Sequence, residues 1–152
     1  MFPGLHAMLN YHPLFVHFPI ALWLAALLYE ALSVWRARDD WHRTAIRLLY
    51  LGTLGASAAV LSGSIAQSSV PPGGAVHDAL EFHATVMIIS SSLALVLCIL
   101  CFAKRGNFTA SLRRIFLAGL VALAILTAVG ADRGAQLVYQ YATSVNLPAP
   151  PK

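Results

Sequence analysis

Apolar residues gather into four long blocks, separated by short segments that carry the charges, prolines and paired glycines. Each block is near or above the ~20 residues needed to cross a bilayer as helix. The first runs from about 13 to 35 and opens on Pro13, which suits a first helical turn because its missing N–H would be unpaired there anyway. The second runs from about 44 to 70 and stops at "VPPGG", a helix end followed by a tight turn. The third covers about 75 to 103. The fourth starts near Ser111, its apolar part ends at Ala131, and helix is expected to continue to 141, before the extended tail "LPAPPK". The pattern predicts an all-α membrane protein. Residues 1–152 form a single domain, an up-and-down bundle of four transmembrane helices with no repeat beyond the pairing of hairpins.

Composition agrees: 59% of residues are hydrophobic and 11% charged, with mean hydropathy +0.71, against roughly a quarter charged in a soluble domain. The opening "MFPGLHAMLNYH" lacks the basic region and cleavage site of a signal peptide, so the first block is expected to stay in the bilayer. Eight of the ten basic residues fall in two segments, Arg36, Arg38, Arg43 and Arg47 between blocks one and two, and Lys104, Arg105, Arg113 and Arg114 between blocks three and four. Short cytoplasmic loops collect Lys and Arg. The net charge of +4 is therefore a topology signal rather than a sign of nucleic-acid binding, and both termini are expected outside.

That topology places five of the six histidines at the outer end: His6, His12, His17, His77 and His83. His42 is expected in a cytoplasmic loop. An imidazole in hydrocarbon costs free energy unless something binds it. With block one entering the membrane near Pro13 and block three near Ala79, His17 and His83 lie at equal depth, which suits two axial ligands of a haem b. His12 precedes a proline, is expected extended, and reads as a cap or a surface ligand. His77 shares a helix face with Glu81, so "HDALEFH" offers an alternative, a divalent metal held by His77, His83 and their neighbours, with His12 or His17 in reach. Asp132 and Arg133 are expected to pair with each other, Arg133 being also suited to a haem propionate. Glu30 lies toward the opposite end, as a snorkelling residue or a partner of Arg36. Gly55, Ala59 and Gly63 form a small-residue stripe for close helix approach or for a flat cofactor. Cys98 and Cys101 read as reduced packing thiols, and no C-x-x-C-H motif for covalent haem is present.

The stretch "HPLFVHFPIAL", the His83-Ala84 pair and the late "GAQLVYQYATSV" together resemble the small bacterial membrane proteins grouped as domain of unknown function 2231. The resemblance covers nearly the whole chain and implies the four-helix architecture and a bacterial inner membrane. The function expected from the residues is non-enzymatic electron transfer. A haem on His17 and His83 would exchange electrons with a quinone or an extracytoplasmic redox protein. The alternative is a haemless anchor or metal-binding subunit of a larger membrane complex.

Overall fold

The computed structural model describes residues 10–68, 70–105, 107–143 and 145, so His6 lies outside the described residues. Four helices follow one another: α1 (His12–Arg36), α2 (Asp39–Gln67), α3 (Ala75–Lys104) and α4 (Ala110–Tyr139). All four are long and apolar enough to cross a membrane. Two ends of the bundle are distinguished below by content. The histidine end holds the start of α1, the turn between α2 and α3 and the end of α4; the basic end holds the other two connections.

Local sequence sets the boundaries. Ala37 turns left-handed at φ 50° after α1, where its N–H caps the Ser33 carbonyl, and α2 begins at Asp39, five residues earlier than the hydropathy pattern implies. Asp39 and Asp40 occupy its first turn, where the helix dipole favours carboxylates. His42 is therefore helical and buried rather than in a loop. Gly73 and Gly74, at φ 86° and 85°, make the turn into α3. Thr109 caps α4 by accepting from the Leu112 N–H at 3.3 Å. At the start of α1, His12 is the first helical residue and not extended, with Pro13 beside it in the first turn.

The helices form a closed ring in which α1 meets α2, α2 meets α3, α3 meets α4 and α4 meets α1, while no backbone contact joins the diagonal pairs among the described residues. The core contains Trp23, Leu49, Leu97, Phe116, Leu120 and Leu123. Small residues set the closeness of α1 to α2: a Cβ added at Gly52 would stand 2.7 Å from Trp23 Cδ1, and one at Gly55 would stand 2.5 Å from Phe18 Cδ1. The stripe is filled by α1 side chains over this stretch.

The two hairpins repeat each other at an offset of 71 residues. Buried positions Pro19, Trp23, Ala26 and Glu30 of α1 map onto buried Ser90, Ala94, Leu97 and Cys101 of α3. Ala45, Leu49, Gly52, Ala56 and Ala59 of α2 map onto buried Phe116, Leu120, Leu123, Thr127 and Gly130 of α4. The ring of contacts obeys the same relation, since shifting the α2–α3 contact by one hairpin gives the α4–α1 contact. The burial pattern of one hairpin thus recurs in the other, which carries the expected pairing of hairpins down to individual positions.

Candidate functional site

At the histidine end the offset of 71 also relates His12 to His83, and each ring is held by its own hairpin in the same way. His12 Nδ1 bonds the Ala59 carbonyl at 2.9 Å, and His83 Nδ1 bonds the Gly130 carbonyl at 2.8 Å. A carbonyl oxygen only accepts, so Nδ1 carries the proton on both neutral rings, and Nε2 is left with the lone pair. Ser62 Oγ stands 3.3 Å from His12 Nδ1 and itself donates to the Ala59 carbonyl at 3.0 Å. Among the described residues neither Nε2 has a hydrogen-bond partner. The two rings meet edge to face, with centroids 6.3 Å apart and planes at 82°.

Glycine lies against each ring at equivalent positions. A Cβ at Gly63 would come within 3.0 Å of His12 Cε1, and one at Gly134 within 3.1 Å of His83 Cε1. Those distances are tight enough that any side chain there would push the imidazole, so the glycines fix where the rings can stand. Carbonyl, imidazole and glycine are thus supplied twice, once by α1 with α2 and once by α3 with α4.

The other expected site residues fall elsewhere. His17 is exposed on the outside of the bundle, its Nδ1 donating to the Pro13 carbonyl at 2.9 Å, so the ring that His83 faces is that of His12. Equal depth does not give a shared face: His17 follows His12 by five residues, about 140° round the helix, and so stands on the outside where His12 stands inside. His77 Nε2 lies 3.3 Å from Glu81 Oε1 on the same helix, and no group of three or more metal-ligating side chains occurs among the described residues. Arg133 donates to Gln136 Oε1 at 2.9 Å and stacks over the Phe82 ring at 5.2 Å, next to His83 in sequence, rather than pairing with Asp132. It lines a shallow groove with Asp78, Phe82 and Tyr141 at this end.

A family model described as "Predicted membrane protein (DUF2231)" matches residues 8–147, almost the entire chain. The chain belongs to the DUF2231 family. Nothing among curated proteins or solved structures matches it. The matched range covers both hairpins, and with them both imidazoles, both carbonyls and both glycines.

At the basic end, sequence reasoning missed a second cluster. Glu30 is fully buried, and its Oε2 accepts from His42 Nδ1 at 2.6 Å. Arg113 reaches in from α4, with Nε 3.6 Å from Glu30 Oε1 and Nη1 2.9 Å from Asp39 Oδ1, while Nη2 bonds Ser33 Oγ. Ser33 donates to the Arg38 carbonyl at 2.6 Å. Glu30 is therefore neither snorkelling nor paired with Arg36, whose guanidinium lies over Trp35. The signal available in sequence was the 71-residue offset, which maps His42 onto Arg113 and Glu30 onto Cys101.

Proposed function

We propose that this integral membrane protein is a b-type cytochrome-like electron-transfer subunit in which His12 and His83 hold one haem. The observation that carries the reading is the pair of rings with centroids 6.3 Å apart, each anchored through Nδ1 on a backbone carbonyl. Two imidazoles on opposite faces of one metal, with bonds of about 2 Å to each nitrogen, bring their ring centroids to about 6 Å. A carbonyl on the far nitrogen fixes the tautomer and raises the basicity of a ligating imidazole. Two halves that supply equivalent ligands also suit a planar macrocycle presented to both alike.

Haem would supply one-electron chemistry here. The chain's own residues do the rest: Ala59 and Gly130 orient the rings through their carbonyls, Gly63 and Gly134 keep the rings' flanks clear, and Arg133 stands at the same end to meet a propionate. Basic residues clustered at the opposite end favour an orientation with the histidine end outside a bacterial inner membrane. An acceptor or donor of electrons at that face would be a quinone or an extracytoplasmic redox protein. A visible spectrum of the purified protein, oxidised and then reduced with dithionite, tests the reading. Sharp α and β bands of a low-spin haem are expected, and a protein that neither carries haem nor takes it up when haem is supplied would leave the haemless anchor as the function.

A further inference from the structure

The buried cluster at the basic end sets one carboxylate, Glu30, between an imidazole and a guanidinium. Around Glu30, α1 contributes that carboxylate and the Ser33 hydroxyl, α2 contributes Asp39 and His42, and α4 contributes Arg113. The Arg38 guanidinium is turned away and satisfied by Asp40, at 2.8 Å. Asp39 is 79% exposed, so the charges held inside are the Glu30 carboxylate and the Arg113 guanidinium, with the His42 imidazole beside them.

Glu30 Oε1 and Arg113 Nε face each other as an ion pair at 3.6 Å, whereas His42 Nε2 is buried with no hydrogen-bond partner among the described residues. His42 is only 5% exposed, boxed edge to face by Phe108 at 4.6 Å and Phe116 at 5.8 Å between centroids. Buried polar groups are ordinarily satisfied, and a group left open in an otherwise bonded cluster marks a place where something comes and goes.

We propose that Glu30 and His42 form a proton-binding site at the basic end of the bundle, with Arg113 as the residue that positions the carboxylate. A proton arriving at His42 Nε2 converts the ring to imidazolium, which shares its Nδ1 proton with Glu30 Oε2 across the 2.6 Å contact. Release reverses the step through the same His42 Nε2. The repeat sharpens the assignment: the equivalent positions in the other hairpin are Cys101 and Arg113, so the carboxylate–imidazole pair is a departure from two-fold symmetry confined to this end. The proposal does not depend on haem.

The test uses the full chain in lipid nanodiscs. Infrared difference spectra between acidic and basic buffer should show a deuterium-sensitive carboxyl band, and nitrogen NMR of labelled histidine should show the buried His42 ring changing state over the same transition. Glu30→Gln should remove one component of the carboxyl signal, the remainder belonging to the other acidic side chains, and should move the His42 transition, while His42→Gln should remove the buried-ring signal. A wild-type protein whose helical circular dichroism is intact, but whose His42 signal does not change with pH, would overturn the proposal and make the cluster a permanent ion pair. So would a His42 transition that a folded Glu30→Gln variant leaves unmoved. The wild-type readouts need no variant to fold.

Discussion

His12 and His83 face each other across the diagonal of the helix ring, on helices α1 and α3 that share no backbone contact, with ring centroids 6.3 Å apart. Only side chains bridge that gap, so removing either ring removes half of the site without disturbing a helix interface. His12→Ala and His83→Ala are each expected to abolish a low-spin haem spectrum, while His17→Ala and His77→Ala retain it. Bound haem per protein and the electron paramagnetic resonance spectrum are the measurements. Retention of the low-spin signal in His12→Ala would remove this residue from the ligand pair.

The glycines at the rings separate site geometry from fold. A leucine at Gly63 or Gly134 would overlap an imidazole held at 3.0 or 3.1 Å from the Cβ position, so haem content should fall steeply while the helices persist. At Gly55 the obstacle is Phe18, and overpacking there should lower stability by about 1–3 kcal/mol. Haem stoichiometry and thermal unfolding measured side by side distinguish the two effects; equal loss of both at all three positions would show that Gly63 and Gly134 serve packing alone.

Much of this architecture was legible from hydropathy, because a span needs only length and apolar content, and the four blocks supply both. The site was less legible. Hydropathy put the start of α2 near 44 because Asp39 to Arg43 read as loop, whereas the dipole and the tight turn at Ala37 carry the helix back to Asp39 and bury His42. His17 looked a better ligand than His12 because depth was counted from assumed entry points, and depth says nothing about facing. The repeat was hidden because it is one of burial and not of residue type: Trp23 answers to Ala94 and Gly52 to Leu123, so large and small exchange across the core. Identity as well as burial is kept at Leu49 and Leu120 in the core, and at the histidine end at His12 and His83 and at Gly63 and Gly134.

The orientation proposed for the protein, with the histidine end outside, rests on the two basic connections at one end of the bundle. A cysteine introduced at Gly73, where nothing lies within 4 Å of the Cβ position, should react with a membrane-impermeant thiol reagent added to intact cells. One introduced at Arg38, in the connection from α1 to α2, should react only after the cells are opened. The reverse pattern would put the histidine end in the cytoplasm and the proton site outside.

Arg113 ties α4 to both α1 and α2 through Glu30, Ser33 and Asp39. Its removal leaves the Glu30 carboxylate buried with only His42 for company, and breaking a buried pair from one side is destabilising by roughly 3–5 kcal/mol. Arg113→Ala should therefore lower the unfolding temperature sharply, whereas Arg38→Ala, whose ion pair with Asp40 is exposed, should leave it nearly unchanged. Combining Arg113→Ala with Glu30→Gln removes the stranded charge together with its partner, so the double variant should recover part of the loss. A double variant less stable than Arg113→Ala alone would mean that the guanidinium acts chiefly through Asp39 and Ser33, and that Glu30 is held by His42 without help from α4.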